Sequence, residues 1–283
     1  MPETIITLYC FFDELLQALD HHDDPQTKLS SAEVMTVAAV AAEFFTGNQQ
    51  LALSFLISHG YLKPFSKSRF NRRLHAIPET LWQFALYAYA LSQIKKIEST
   101  QIESTQTFLV DTFPVPVCRN IRIKRCKIYQ NEAFRGYTAS KKEYFYGLKV
   151  CLIVTDTGSP VELVFVPGAT NDGEALRSMP LNLPDNSVLI GDKGFLDTAF
   201  EEVLKRDGDI HLLVPLLVPR RKNMKPEKQL DDLVQWVSGS LRKRVETTFS
   251  QLSERLARSI HAVTPRGFEL KVFLTVLTYT ILK

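Results

Sequence analysis

Residues 188–195 read Val188-Leu189-Ile190-Gly191-Asp192-Lys193-Gly194-Phe195. Three apolar residues run directly into Gly-Asp-Lys-Gly, and a short, partly β-branched run that ends in glycine predicts a buried strand. Open α/β sheets bind their ligands at the carboxyl ends of the strands. An aspartate at that point is costly to bury unless a partner compensates its charge. Asp192 is therefore either a hydrogen-bonded turn residue or a carboxylate of a functional site.

A second apolar run, Thr107–Asp111, also ends in aspartate. Pro114 and Pro116 follow it, and proline donates no ladder hydrogen bond, so the strand should end near Asp111 or continue as an edge. Two strand-end carboxylates in one domain predict a shared cluster. The simplest ligand for them is a hard divalent cation, because magnesium takes oxygen ligands and often needs only one or two carboxylates plus a substrate phosphate.

The composition fits a globular protein of one large domain or two smaller ones. The 283 residues are 45% hydrophobic and 23% charged, with a net charge of +3. That charge is a weak indication of a polyanion partner, and local clusters matter more. The four cysteines form no Cys-x-x-Cys pair, which favours reduced thiols in a cytoplasmic protein over a zinc or redox site. We expect no membrane segment, because the apolar run Val272–Leu282 is shorter than the ~20 residues that a membrane helix needs.

Residues 1–98 show helical periodicity and few strand signals, which predicts an all-helical N-terminal domain. Ser30–Glu33 has the pattern of a capping box. A further helix, capped by Ser66 or Ser68, would carry basic residues outward among interleaved aromatic ones. That arrangement suits a helix-turn-helix-like DNA-binding module, although a solvated helical face gives the same pattern. The basic residues are Arg69, Arg72 and Arg73.

Residues 99–283 are predicted to form a second domain, of the α/β class, after a linker rich in Ser, Thr and Gln. Tyr144–Val154 and Val161–Val166 predict a β-hairpin. Strands and helices then alternate, which indicates a mixed sheet flanked by helices. Asn171 or Asp172 is expected to cap the helix that follows the hairpin, with an approach of Asp172 to the site as the less favoured alternative.

Two basic segments lie in this second domain. Arg119–Lys127 carries five cations and no acid directly after Asp111, and Pro219–Pro226 is a basic loop bracketed by prolines. Cations beside a carboxylate cluster predict contact with phosphate, although a charge run is more often a solvated face. The residues expected to contact DNA here are Arg119, Arg122, Lys124, Arg125, Lys149, Lys193, Arg220, Arg221 and Arg242.

A third acid lies on a helix predicted from Ser240 to about Ser259. Glu246 borders the apolar stripe of that helix, and Arg242 lies one turn before it. An exposed Arg242–Glu246 pair would explain both residues. The strand-end aspartates support the alternative, in which Glu246 turns toward the site of the sheet.

Asp111, Asp192 and Glu246, in this order, resemble the DDE triad of bacterial insertion-sequence transposases. The best match is the branch named after insertion sequence 982. The chain resembles it in four central motifs and one early motif, which together cover most of its length. They are Val110–Cys118, Phe145–Lys149, Gly191–Phe195, Arg242–Leu252 and Phe70–His75.

The resemblance implies an RNase H-like fold whose three acids bind two divalent ions, Mg²⁺ or Mn²⁺. It implies cleavage and joining of DNA at the ends of a mobile element. The expected partners are the terminal inverted repeats, target DNA and further copies of the chain. Three positions depart from the pattern. Cys151 lies where related transposases often have histidine, and Gly239 and Ser253 lie where other branches have tyrosine and lysine. These departures bear on the handling of terminal phosphates and leave the triad intact.

Two other classes of function compete with this interpretation. One is a DNA-binding regulator that descends from a transposase and no longer cleaves. The other is a metal-dependent phosphatase for small molecules, which would need neither the basic loops nor the helical module.

Overall fold

The computed structural model describes residues 1–98, 106–138, 142–213, 232–257 and 259–283, without the side chains of 94–98, 198, 232–240 and 242. The chain divides into two compact units. Unit 1 combines Met1–Lys96 with Leu252–Lys283, and unit 2 is Ile97–Gln251.

Helices are the only regular secondary structure in the described residues of unit 1. Its helices are α1 (Pro2–Ala18), α2 (Ser31–Phe44), α3 (Gln49–Ser58), α4 (Lys67–Ala76), α5 (Glu79–Glu98) and α9 (Pro265–Leu282). It also takes the last turn of α8 (Asp232–Arg255).

Helix α2 forms the centre of unit 1. Eleven of its residues are buried, and α1, α3, α4 and α9 pack against it. Its start confirms the predicted capping box, because the Ser30 hydroxyl accepts from the Glu33 amide at 3.1 Å and the Glu33 carboxylate accepts from the Ser30 amide at 2.7 Å. The small side chains of α2 allow this close packing of helices on several sides.

The apolar C-terminal run Val272–Leu282 forms most of helix α9. Eleven of its residues are buried, and α9 packs against α2. The sequence prediction assigned these residues to the catalytic domain, whereas the structure groups 252–283 with the N-terminal helices. Within the described part of the chain, no helix is long and apolar enough to cross a membrane.

Unit 2 is a mixed α/β structure, with one sheet flanked by helices. Its strands are β1 (Thr107–Cys118), β2 (Arg135–Thr138), β3 (Glu143–Thr155), β4 (Pro160–Pro167), β5 (Val188–Ile190) and β6 (His211–Leu213). The sheet order is β2-β3-β1-β5-β6, and β4 also pairs with β3. The helices are α6 (Asp172–Arg177), α7 (Thr198–Gly208) and most of α8. The predicted hairpin is confirmed as β3 and β4, and the buried strand at 188–190 is confirmed as β5.

Strand β1 continues well beyond Asp111, as the edge alternative predicted. It pairs with β3 antiparallel as far as Cys118, and with β5 in parallel only over Thr107–Leu109. Pro114 and Pro116 fall in the stretch of β1 that, among the described residues, pairs with β3 alone. Asp111 therefore lies just where β1 leaves its parallel neighbour.

Candidate active site

The structure places Asp111 and Asp192 at matching positions on adjacent parallel strands. Leu109 pairs with Ile190, and each aspartate lies two residues further along its own chain. Neighbouring strands lie about 4.8 Å apart. Both aspartates are partly exposed. Asp111 and Asp192 therefore lie at equivalent positions just beyond the last paired residues of β1 and β5.

Asp192 also shapes the turn that follows it. Its carboxylate accepts a hydrogen bond from the Gly194 amide at 2.7 Å and so caps a single 3-10 turn, Lys193–Phe195. Phe195 is buried and anchors the turn. The two sequence interpretations of Asp192 are thus compatible, because a carboxylate has enough acceptor positions to bond the turn and also to face a ligand.

Asp111 and Thr112 leave β1 on opposite faces of the sheet. The Asp111 carboxylate accepts from the Thr112 amide at 2.7 Å. The Thr112 hydroxyl donates to Asp172 at 2.8 Å. The first residue of α6 is therefore tied directly to the residue after Asp111.

Asp172 is a candidate functional residue that the sequence interpretation placed second. Asn171, rather than Asp172, caps α6 by accepting from the Glu174 amide at 2.8 Å. The Asp172 carboxylate instead accepts from the Lys149 ammonium at 3.0 Å. A signal for this existed in the sequence, since consecutive Asn and Asp at a helix start supply one side chain more than capping needs.

Cys151 lies on β3 next to this cluster and is fully buried. Burial raises the pKa of its thiol well above the usual range, and the carboxylates of Asp172 and Asp111 raise the pKa further, while the Lys149 ammonium opposes them. The thiol therefore stays protonated at neutral pH. Cys151 can act neither as a base nor as a thiolate ligand in this state.

Glu246 lies on α8, which packs on the sheet of unit 2. The Phe249 ring contacts Phe113, with the ring centroids 5.0 Å apart, and the Thr248 hydroxyl donates to the Gly158 carbonyl at 2.8 Å. Glu246 lies one turn before Phe249 on the same flank of the helix and is exposed. Phe113 is two residues beyond Asp111 on the same face of β1, so Glu246 lies toward the face that carries Asp111. The Arg242 side chain, the other half of the predicted surface pair, lies outside the described residues.

The donor atoms at the strand ends suit a hard cation. Asp111 and Asp192 offer only oxygen, which Mg²⁺ and Mn²⁺ prefer. Over the described ranges, no group of three or more His, Cys, Asp or Glu side chains is placed to hold a metal ion. Glu246 is thus not gathered with both aspartates. The pair alone fits a cation that keeps several waters and takes further ligands from a substrate phosphate.

The predicted DNA-contacting cations of unit 2 fall into three groups. Lys149 is mostly buried and donates to Asp172 and to the Thr170 carbonyl at 2.7 Å. Arg220 and Arg221 lie outside the described residues, as does the side chain of Arg242. The others are exposed, four of them on or beside the 3-10 helix Asn120–Arg125. They are Arg119, Arg122, Lys124, Arg125 and Lys193.

In unit 1, α4 confirms the predicted helix, with Phe70 and Leu74 buried. Arg69 and Arg72 are exposed as predicted. The expectation that Arg73 points outward is wrong. Arg73 donates to the Asp23 carboxylate at 2.6 Å, because that acid lies in the loop before α2 and its charge needs compensation there.

Comparison with known proteins shows the family of the chain. Residues 101–262 match the family described as Transposase DDE domain, and the chain belongs to that family. It is a transposase-type protein. No curated protein matches the chain. One solved structure, a cryo-EM structure of a piggyBac transposase synaptic complex with hairpin DNA, has 10% sequence identity and a TM-score of 0.42, covering 99% of this chain and 72% of the other.

Proposed function

We propose that this protein is a DNA transposase of the insertion-sequence type, in the branch named after insertion sequence 982. It cleaves and joins phosphodiester bonds at the ends of its element. The observation that carries the proposal is the pair of aspartates at matching positions of adjacent parallel strands. The family match supports it, because members of a DDE family act on DNA through acidic residues and generally use divalent metals.

Asp111 and Asp192 are the proposed ligands of a divalent cation, and Glu246 is the proposed third ligand. When bound, one or two such ions would polarise the scissile phosphate and lower the pKa of an attacking water. The protein's own part is positional. The Gly194 amide holds the Asp192 carboxylate, and the Thr112 amide holds that of Asp111. Both acids are thereby fixed before the substrate arrives, which avoids reorganisation during the reaction.

The sheet order and its mixture of antiparallel and parallel strands support an RNase H-like fold for unit 2. The exposed cations of the segment Arg119–Lys127 would hold the DNA backbone without reading its sequence. Recognition of the terminal repeats is assigned to α4 of unit 1 through Arg69 and Arg72. Further copies of the chain would assemble on the two ends.

The test is strand-resolved mapping of products from labelled candidate element ends incubated with Mg²⁺. We expect cleavage at the element boundary, supported also by Mn²⁺, and lost in excess chelator. Ca²⁺ should support binding without efficient cleavage, because its larger radius and looser geometry misplace the reacting oxygens. Asp185→Asn is the matched control for Asp192→Asn, since Asp185 is an exposed aspartate in the loop before β5. Full cleavage by the Asp192→Asn protein would refute the assignment.

A second candidate function is a DNA-binding regulator without cleavage activity. The observation that favours it is the position of Glu246, which is not gathered with the two aspartates in the described residues. This candidate predicts preferential binding of element ends with no strand cleavage at any Mg²⁺ or Mn²⁺ concentration. The same experiment therefore decides between the two functions.

A further inference from the structure

Asp172 makes contacts that the proposed chemistry does not use. One of its oxygens accepts from the Thr112 hydroxyl at 2.8 Å and from the Lys149 ammonium at 3.0 Å. Lys149 also donates to the Thr170 carbonyl, the residue before the helix cap. The carboxylate therefore connects β1, β3 and α6 at a single atom. Only 27% of the Asp172 side chain and 16% of the Lys149 side chain are exposed, so the pair is screened less than a surface ion pair.

The other oxygen of Asp172 reaches the turn that carries Asp192. A Cβ atom placed on Gly194 would lie 2.6 Å from Asp172 Oδ2 and 3.0 Å from Asp192 Oδ1. The two carboxylates therefore both approach the open side of Gly194. Any side chain at position 194 would collide with them, which explains the glycine in the stretch Gly-Asp-Lys-Gly.

Two carboxylates on the same side of one residue repel each other unless a cation is near. Lys149 supplies that cation at Oδ1, the other oxygen of the Asp172 carboxylate. Exposed pairs of the unit differ from this arrangement. Arg135 and Glu132, for example, bond at 2.7 Å, are three residues apart in sequence, and both have exposed side chains.

We infer that Asp172, neutralised by Lys149, is a positioning residue that fixes the turn 191–195 and so holds Asp192 beside Asp111. It acts through Gly194 and Thr112 and does not itself need to touch DNA. The expected effect on the cleavage rate rests on the proposed function. The effect of Asp172 on the rigidity of residues 191–195 rests on its contacts alone and can be measured without DNA.

Three substitutions test the positional role. Asp172→Asn keeps the shape of the side chain and its bond from Thr112, but it removes the charge that pairs with Lys149. Thr112→Val removes the hydroxyl that donates to Asp172, and Thr112→Ser restores it. Glu132→Gln is the matched control, because it breaks an ion pair of the same unit at an exposed place.

The first measurement is amide hydrogen exchange of residues 191–195 in the full chain without DNA or metal. We expect exchange about threefold faster in Asp172→Asn and Thr112→Val, and unchanged in Thr112→Ser and Glu132→Gln. The second measurement is the rate of end cleavage. We expect this rate to fall about tenfold in Asp172→Asn and Thr112→Val, with DNA affinity retained. The comparison of Val with Ser at position 112 decides the matter even if Asp172→Asn does not fold.

Unchanged exchange in both Asp172→Asn and Thr112→Val would overturn the inference, whatever the cleavage rates. Faster exchange in a chain whose wild type cleaves no DNA would support the positional role and reject the proposed function alone. Faster exchange with full-rate cleavage would show that the turn does not limit the chemistry, and the inference would then also fail.

Discussion

The Lys149–Asp172 pair and the basic segment Arg119–Lys127 lie in the same unit, and the sequence predicts DNA contact for the cations of both. The structure separates them. Lys149 is largely buried and bonds to an acid and a backbone carbonyl, whereas Arg119, Arg122, Lys124 and Arg125 of the segment are exposed. A cation with an internal acidic partner stabilises the fold or positions other groups. An exposed one is accessible to a phosphate.

Unit 1 repeats the contrast on one helix. Arg72 and Arg73 are neighbours in sequence, yet Arg72 is exposed and Arg73 is tied to Asp23. An acidic partner within the fold, rather than the charge pattern, therefore distinguishes structural cations from those that remain accessible to a phosphate.

The largest effect should come from the acids themselves. Replacing Asp111 or Asp192 by asparagine, or Glu246 by glutamine, should slow end cleavage by at least about 100-fold, or ~2.7 kcal/mol in activation free energy. DNA binding should persist, because the cations proposed to hold the DNA backbone are unchanged. Cleavage rates and binding affinities measured on the same labelled ends check this. If Glu246→Gln alone kept the full rate, the third ligand would have to be sought elsewhere on the chain.

Lys149→Met should lower the free energy of unfolding by about 1 to 2 kcal/mol, since it leaves the half-buried Asp172 carboxylate without its cation. Lys124→Met, in the exposed segment, should change it by less than about 0.5 kcal/mol. Urea denaturation of the two variants makes the comparison directly. Equal stabilities would mean that the buried pair contributes no more than a surface cation.

DNA affinity should show the opposite order. The double substitution of Lys124 and Arg125 by alanine should weaken binding to end and random DNA about equally. It should reduce the slope of log affinity against log salt by up to about 0.9 for each phosphate that the protein no longer neutralises. Lys149→Ala should leave the slope unchanged, because its charge is already paired. Titrations at a series of salt concentrations measure both slopes, and a reduced slope for Lys149→Ala would assign that residue to DNA.

The smallest effect concerns acid stability in unit 1. Burial alone would raise the Asp23 pKa, but hydrogen bonds from Ser31 and Arg73 outweigh burial and hold the pKa below its ordinary value. A carboxyl with a lowered pKa contributes stability above its unfolded pKa, near 3.9, and loses it as pH falls through the folded value. Arg73→Met should therefore flatten the loss of stability below about pH 4. Arg72→Met is the neighbouring control and should leave this pH dependence unchanged. Urea denaturation at a series of pH values measures the free energy of unfolding for both variants.

The sequence predicted much of this molecule because the relevant signals are local. The apolar run before Asp192, the hairpin strands and the capping box at Ser30 all depend on near neighbours, and all are confirmed. The extension of β1 through Pro114 and Pro116 was left open, since it depends on which side of the strand has a partner. The structural partners of Asp172 and Arg73 could not be predicted, because both bond to residues distant in sequence.

Asp111 and Asp192 are proposed to share one divalent cation site, just beyond the last paired residues of β1 and β5. The decisive measurement is binding of Mn²⁺, followed by electron paramagnetic resonance in the presence of element-end DNA. We expect a bound-ion signal for the wild-type chain and for Asp185→Asn. We expect loss of that signal in Asp111→Asn and in Asp192→Asn alike. Full Mn²⁺ binding in either of these two variants would contradict the claim.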